Sequence, residues 1–234
     1  MLRLDALVKR YPGNDSEAVN AVDGVSLTVS AGEFVALYGP SGSGKTTLLM
    51  LAAAVLRPDS GSVMVAGRDV SALTRRQAAR YRMHELGFVR QSFDLIPGAS
   101  ALDNAALKLI ASSAGVREAR RRVAPLLGRL GLTGRQMHLA GQLSMGERQR
   151  VMIARALSTD PKLVLADEPT GSLDSERGRE MLGLLSELCR ERGAAVLLVT
   201  HDPEAAAYAD RVHTLRDGRL SSEPQGVRSR VRPT

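Results

Sequence analysis

The sequence has 234 residues, 44% of them hydrophobic and 24% charged, which is the composition of an ordinary globular protein and excludes a disordered or collagenous chain. This length predicts one compact unit with room for a small insert, and it excludes two full catalytic domains. The single cysteine, Cys189, excludes an internal disulfide and a multi-cysteine metal cluster, and it suits a reducing compartment such as the cytoplasm.

The net charge of +7 favours phosphate-rich partners or an anionic membrane surface. Trp is absent and aromatic residues make up only 3%, so stacking platforms for single-stranded nucleic acid are few. The longest mostly apolar stretch, residues 48–56, is much shorter than the roughly 20 residues of a membrane-spanning helix. We therefore expect a small phosphate-bearing ligand, no membrane span and no nucleic-acid partner.

The first hundred residues predict strands around one helix. Apolar and polar residues alternate over residues 2–8 and 25–29, which predicts two half-buried antiparallel strands. Residues 34–38 are continuously apolar, as in a strand buried on both faces, and a glycine-rich turn and a helix over 46–55 follow. Short strands are predicted at 61–67 and 87–90.

The second half predicts a helical insert and then a strand-helix-strand alternation. Helical patterns at residues 101–111, 117–130 and 148–157, separated by glycines, predict an inserted helical subdomain over about 92–158. Apolar runs at 163–166 and 194–200 flank a helical stretch at 176–191, which is typical of a parallel sheet. Residues 212–215 predict a last strand, and 221–234 a disordered basic tail.

A phosphate-binding loop is predicted between the buried strand and the first helix. Glycines let backbone N–H groups turn towards phosphate oxygens, and the helix N-terminus adds a favourable dipole. Lys45 is expected to contact the β- and γ-phosphates, and the Thr46 hydroxyl to bind Mg²⁺. The predicted ligand-binding residues of this loop are Gly39, Pro40, Ser41, Gly42, Ser43, Gly44, Lys45, Thr46 and Thr47.

Two carboxylates, Asp167 and Glu168, end the apolar strand at 163–166. Ligands of open α/β sheets bind at the carboxyl ends of the strands, so both lie where a nucleotide is expected. Asp167 is suited to hold Mg²⁺, and Glu168 to polarise the attacking water as a general base. Without the phosphate loop, an Asp-Glu pair after a strand more often caps a helix.

Together with these motifs, residues 143–147 (LSMGE) resemble the signature sequence of the ATP-binding subunits of ABC transporters. The similarity extends from Leu2 to about Leu220. It implies an α/β fold: a P-loop NTPase core with a mostly parallel sheet, an N-terminal antiparallel β subdomain and an inserted helical subdomain. It also implies one domain over residues 1–220 that binds and hydrolyses ATP with Mg²⁺.

The resemblance gives roles to residues that are uninformative when taken singly. Ser144 and Gly146 of the signature are expected to contact ATP bound to the opposite subunit. Gln91 matches the loop glutamine that binds Mg²⁺ and senses the γ-phosphate, and His201 matches the switch histidine. Residues 172–174 match the loop after the catalytic glutamate, with Asp174 at the nucleotide, and Tyr11 matches the aromatic residue that stacks on adenine.

Residues 88–97 (FVRQSFDLIP) and 101–104 (ALDN) most resemble the branch that serves lipoprotein release, macrolide export and bacterial cell division. The resemblance implies a peripheral subunit on the cytoplasmic face of the membrane, paired with a second ATPase subunit, most simply an identical copy. It further implies that a permease docks at the helical subdomain and the Gln91 loop. ATP binding is expected to close the dimer and hydrolysis to reopen it.

Two positions depart from the family pattern. Met145 stands where glycine is usual, and we expect backbone strain there if the site needs a positive φ. Ala140 replaces a proline common in this branch, which we take as a mild change. Two alternatives stay open at this stage: a catalytically weak, ATP-gated interaction subunit, and a soluble ABC ATPase acting on nucleic acid or ribosomes.

Overall fold

The computed structural model describes residues 1–12, 19–92, 94–112, 114–171 and 173–221. Within these residues we find ten strands, seven α-helices and two short 3₁₀ helices. In chain order they are β1 (Leu2–Tyr11), β2 (Val19–Val29), β3 (Phe34–Tyr38), α1 (Lys45–Ala52), β4 (Ser60–Val65), β5 (Arg68–Asp69), α2 (Arg75–His84), β6 (Leu86–Arg90), α3 (Ala101–Ala111), α4 (Val116–Arg129), the 3₁₀ helices Thr133–Arg135 and Ala140–Gln142, α5 (Met145–Leu157), β7 (Leu163–Asp167), α6 (Ser175–Glu191), β8 (Ala195–Thr200), α7 (Pro203–Ala206), β9 (Arg211–Arg216) and β10 (Arg219–Leu220).

The strands form two sheets. The smaller is antiparallel, with the order β2-β1-β4-β5. The larger has the order β10-β9-β3-β8-β7-β6, in which β9 to β6 run parallel and β10 is antiparallel to β9. The predicted α/β fold, with an antiparallel N-terminal sheet and a mostly parallel core, is confirmed.

The central strands β3, β7 and β8 of the large sheet are buried on both faces, which explains why their sequences are continuously apolar. In β3, Phe34 and Ala36 face the hydrophobic cluster that also contains side chains of α3 to α6. Val35 and Leu37 face a second cluster, formed with α1 and the small sheet. The large sheet is therefore the middle layer of the fold.

Helices α3, α4 and α5 lie between β6 and β7 along the chain, as predicted for the insert. Their buried side chains belong to the same cluster as one face of the large sheet. The division into a domain over 1–220 and a helical subdomain stays a prediction, and the predicted tail lies outside the described residues beyond Ser221. None of the helices in the described part of the chain is long and apolar enough to cross a membrane.

Several elements differ from the sequence prediction. Helix α2 was not predicted, although Thr74 and Gln77 form a capping box at its start. Helix α1 ends at Ala52 rather than residue 55, since Ala54 has a φ of +51°, which is incompatible with a continuing helix. Helix α5 begins at Met145, three residues before the predicted start.

Candidate functional site

The predicted site residues gather at one edge of the large sheet. Strands β3, β8, β7 and β6 are consecutive and parallel, so their carboxyl ends lie side by side. The loop at residues 39–47 follows β3, His201 follows β8, Glu168 follows β7 and Gln91 follows β6. Four separate sequence motifs thus meet because their strands are neighbours in the sheet.

The loop at 39–47 leads directly into the first turn of α1, whose N-cap is Gly44. Gly44 has a φ of +99°, and a Cβ there would lie 1.9 Å from the carbonyl oxygen of Ala21, so only glycine fits. The Gly39 N–H donates to Thr200 O at 3.3 Å, and Gly218 N–H donates to Ser43 O at 3.1 Å. The loop is therefore held by β2, β8 and the β9–β10 turn, with the N-terminus of α1 at its end.

Lys45 is a buried cation inside this loop. Its Nζ donates to the carbonyl oxygens of Gly39 and Pro40, each at 2.7 Å. Burial lowers the pKa of Lys45, and the charges of Glu168 and Asp167 partly oppose that shift. The ammonium therefore lies in the field of both carboxylates predicted at the site.

Asp167 is the last residue of β7 and pairs in register with Arg90 of β6. Burial and the neighbouring Glu168 raise the pKa of its carboxyl, while Arg90 and Lys45 act in the opposite direction. A half-buried carboxylate next to a second carboxylate favours a nearby cation. This environment fits the predicted role of Asp167 at a metal ion.

Glu168 is held by its backbone and by its carboxylate. Its φ is +46°, a left-handed conformation that costs a non-glycine residue about 1–3 kcal/mol. Its backbone N–H donates to the carbonyl oxygen of Val199 at 3.0 Å. Oε1 lies 2.7 Å from His201 Nδ1, and Oε2 accepts from the Thr200 hydroxyl at 3.2 Å. The Glu168 side chain is 15% exposed and the His201 ring 62%, so a fixed carboxylate lies beneath an accessible histidine.

Gln91 is exposed and follows β6. A Cβ on Gly171 would lie 2.8 Å from Gln91 Nε2, so the amide lies against the backbone just after Glu168. Gln91 is thus brought to the segment that follows Glu168, while its contacts with Mg²⁺ and the γ-phosphate stay predictions.

The signature residues occupy an exposed helix start. Ser144 is the N-cap of α5: its Oγ accepts from Glu147 N–H, and Glu147 Oε2 accepts from Ser144 N–H. Among the described residues, no hydrogen bond joins Ser144 or Gly146 to the loop at 39–47. The signature and the phosphate loop of one chain thus share no hydrogen bond among the described residues.

The expected strain at Met145 is wrong. Met145 is the first residue of α5, and the positive φ angles of described non-glycine residues occur elsewhere. A helix start needs only ordinary αR geometry, which methionine adopts freely. Within the proposed site the strained backbone belongs to Glu168 instead.

Asp174 and Tyr11 have contacts that do not involve the phosphate loop. Asp174 is the N-cap of α6, accepting from the Arg177 N–H at 2.9 Å and forming an ion pair with the Arg177 guanidinium at 3.2 Å. Tyr11 ends β1, is half exposed and pairs with Val19. Their contacts to nucleotide stay predictions, as do those of the other site residues, and Ser172 lies outside the described residues.

Two residues that the sequence analysis missed support the site. Thr200 is fully buried and also accepts from the Asp202 N–H at 3.0 Å, so it fixes the turn that carries His201. Gln149 of α5 is fully buried, and its Nε2 donates to Pro169 O at 2.8 Å. Two sequence signals could have indicated them. Thr200 is a polar residue that ends an apolar strand, and Gln149 is an amide on the same helix face as the apolar Ile153.

Comparison with known proteins agrees with this geometry. The profile of the family described as ABC transporter matches residues 22–171, which include the phosphate loop, the signature and both strand-end carboxylates. The chain belongs to this family. It is accordingly an ATP-binding ATPase domain of the ABC class, as predicted.

Curated relatives place the cassette in the predicted branch. The lipoprotein-releasing system ATP-binding protein LolD of Bordetella avium is 47% identical over 219 residues, covering 94% of this chain and 95% of LolD. The macrolide export ATP-binding/permease protein MacB of Rhodopirellula baltica is 46% identical over 225 residues, covering 95% of this chain but 33% of MacB. The chain thus spans about one third of the length of the ATP-binding/permease relatives that it matches.

A solved structure shares the whole architecture. The dimeric structure of MJ0796, described as a bacterial ABC transporter cassette, superposes with a TM-score of 0.86 at 37% identity and covers 98% of this chain and 100% of that one. A second MJ0796 structure, with a TM-score of 0.86 at 36% identity and the same coverage, is a dimeric post-hydrolysis state bound to ADP and Pi.

Proposed function

We propose that the cassette works as a head-to-tail dimer on the cytoplasmic face of a membrane, where ATP-driven closure changes the conformation of a permease. One observation carries the proposal: Ser144 and Gly146 lie at an exposed helix N-terminus that makes no hydrogen bond to the loop at 39–47, among the described residues. A nucleotide site that needs both is complete only with a second copy. The dimeric MJ0796 structures support this arrangement.

The side chains at the sheet edge divide the work of hydrolysis. The Lys45 ammonium neutralises phosphate charge, and the Glu168 carboxylate orients and deprotonates the attacking water. Thr200 and His201 hold that carboxylate through its two oxygens. The accessible His201 ring contacts the γ-phosphate and responds to its loss, because the ring is tied to the base itself.

The oxygen donors near Lys45 fit Mg²⁺. The Asp167 carboxylate, the exposed Thr46 hydroxyl and the Gln91 amide are hard ligands of the kind that this ion prefers. No group of three or more His, Cys, Asp and Glu side chains suited to a metal occurs within the described ranges. When bound, Mg²⁺ supplies charge neutralisation at the β- and γ-phosphates.

A groove on the side of α3 and α5 offers a docking place for the permease, at the helical insert and next to the Gln91 loop. It has a volume of about 250 Å³ and lies between the end of α1, β6, α3 and α5. Val55 at its mouth is 55% exposed, and Phe88 of β6 lines it. Because β6 leads directly to Gln91, a segment seated here touches the strand that carries the γ-phosphate sensor.

Glu168→Gln tests the proposed cycle. We expect normal ATP binding, turnover reduced at least about a hundredfold, and an ATP-dependent dimer stable in size-exclusion chromatography, since the base is lost and the contacts to ATP are kept. Glu118→Gln on the exposed surface of α4 is the matched control and leaves turnover unchanged. Undiminished turnover of Glu168→Gln contradicts the assignment.

A further inference from the structure

The groove between the end of α1, β6, α3 and α5 is lined by both apolar and cationic side chains. Its floor includes Leu86, Met152 and Ala156, all buried. Four cationic side chains also line it, and none of the described lining residues is acidic. These cations are Arg82, Arg90, Lys108 and Arg155.

Two of these cations are already engaged. Arg82 donates to the Ala54 carbonyl oxygen at 2.8 Å, and Arg90 forms an ion pair with Asp94 at 3.0 Å. The charge of Asp94 also acts on Arg155, since it opposes the lowering of the Arg155 pKa. Lys108 is therefore the groove cation whose charge no carboxylate of the described residues offsets.

Lys108 is the unusual group. Its Nζ donates to Leu86 O at 2.7 Å and to Thr159 Oγ1 at 3.3 Å, both uncharged acceptors. In the part of the chain that the structure describes, no carboxylate lies within ion-pairing distance of it. An ammonium has three protons to donate, so one remains for a further acceptor. A largely buried charge without a counter-charge is costly, and a carboxylate would remove that cost.

Arg155 places a second positive charge in the same groove as Lys108. Its guanidinium donates to the Asp94 backbone oxygen at 2.7 Å and contacts the Met152 sulfur at 3.0 Å. Burial, with a contribution from Arg155, lowers the pKa of Lys108 to about 8. Burial also lowers the pKa of Arg155, while Asp94 opposes the shift.

We propose that the groove receives a segment of the membrane partner in which apolar side chains flank one carboxylate, and that Lys108 and Arg155 bind this carboxylate. The proposal rests on the docking stated above and adds the chemistry of the docked segment. Apolar residues fit the floor and the exposed Val55, and the acid fits the two cations. The acid also gives the partner a fixed register in the groove.

Disulfide tethering tests the chemistry even when the affinity is weak. Cys189 is buried, so Val55→Cys introduces an accessible thiol at the groove mouth. The probes are two cysteine-bearing helical peptides of leucine and alanine that differ only in one central residue, glutamate or glutamine. Val19→Cys provides the matched control site, because Val19 is 58% exposed on β2 and outside the groove.

We compare the two peptides by the ratio of their equilibrium constants for disulfide exchange, glutamate over glutamine. Near neutral pH this ratio should be about ten at position 55 and close to one at position 19. Lys108→Met lowers the ratio at position 55 to about twofold, and Lys108→Arg retains most of it. The ratio also falls above about pH 8, where Lys108 loses its proton.

The outcomes separate this inference from the docking on which it rests. Equal capture of both peptides at position 55, well above position 19, keeps the docking groove and overturns the carboxylate. Equal capture at both positions overturns the groove as a docking site as well, while the Glu168→Gln result still decides the ATPase cycle. Loss of binding to anionic lipid vesicles in Lys108→Met, with unchanged peptide capture, assigns the cation to lipid and also overturns the inference.

Discussion

Lys108 makes the stability of the cassette depend on pH in a particular direction. Its pKa is lowered to about 8 from an ordinary value of 10.5, so the unfolded chain binds the proton more tightly. Between these two values the unfolded state carries more protons, and stability therefore rises with pH. Below about pH 8 both states are protonated and the destabilisation is constant.

We predict that Lys108→Met removes this dependence. The stability of the wild-type chain relative to the variant should increase by about 1–2 kcal/mol between about pH 8 and about pH 10.5. This figure is reduced from the full effect of the pKa shift because Lys108 is partly exposed. Urea unfolding at several pH values measures it. Lys162→Met, at an exposed lysine, is the matched control. Parallel curves for wild type and Lys108→Met would contradict the assignment.

The backbone at Met145 and that at Glu168 have opposite characters. Met145 starts a helix with 47% of its surface exposed, whereas Glu168 has a positive φ where its N–H and carboxylate are both held. Strain at this site is therefore tied to the proposed base. The backbone at Met145 therefore gives no reason to expect weak catalysis.

We predict that Met145→Gly does not stabilise the chain. The Met145→Ala variant should be as stable as Met145→Gly, or more stable by up to about 1 kcal/mol, because glycine loses more backbone entropy when it enters a helix. If the position required positive φ, the order would be reversed, with glycine the more stable. Thermal or urea unfolding of the two variants distinguishes these cases, and ATP-dependent dimerisation of both should match the wild type within about threefold.

At the scale of elements, α5 connects the signature to the base. Ser144 and Gly146 are at its N-terminus, and one turn later the buried Gln149 donates to the carbonyl of Pro169, the residue after Glu168. Oε1 of Gln149 has no hydrogen-bond partner among the described residues. A buried hydrogen bond thus joins the helix that begins at the signature to the segment that follows Glu168, the proposed base.

We predict that Gln149→Met lowers both stability and turnover. Leaving the Pro169 carbonyl without its donor should cost about 1–3 kcal/mol and displace Glu168, reducing kcat more than the affinity for ATP. Gln136→Met is the matched control, since Gln136 Nε2 also donates to a carbonyl, that of Ala124 at 3.2 Å, far from the base. Loss of stability in both variants, with loss of kcat only in Gln149→Met, is the expected result. Equal kcat in the two would show that the bond is only structural.

At the scale of the whole molecule, the proposed head-to-tail dimer shares each nucleotide site between two copies. A Cβ at Gly146 meets nothing closer than 3.9 Å, so Gly146→Asp is tolerated by the fold while it repels phosphate in the partner's site. Lys45→Ala damages the loop in its own chain. Neither variant alone forms an intact composite site in a homodimer.

We predict that mixing Lys45→Ala with Gly146→Asp restores ATP turnover. Random pairing makes half the dimers mixed, and each mixed dimer has one intact site of two, so recovery should approach about a quarter of the wild-type rate. The rate should rise from the near-zero values of the separate variants. No gain on mixing, with dimers demonstrated, would contradict the head-to-tail arrangement.

The sequence by itself determined the features that depend on local chemistry. Only glycine permits the backbone geometry at Gly44. A continuously apolar strand such as residues 34–38 is stable only when both of its faces are covered by other layers of the fold. Order along the chain then fixes the parallel topology, since strand and helix alternate. Local chemistry therefore predicts the phosphate loop, Asp167 and Glu168, whereas the roles of His201 and the signature are predicted from the resemblance to the family.

Tertiary structure decided what depends on neighbours distant in sequence. The amide of Gln149, the hydroxyl of Thr200 and the ammonium of Lys108 have ordinary sequence surroundings, and only packing reveals which groups they face. The φ of Met145 likewise followed from the start of α5 and not from the residue usual at that position. Burial and hydrogen-bond partners are properties of the folded chain, and they set both the strain at Glu168 and the cost of an unpaired charge in the groove.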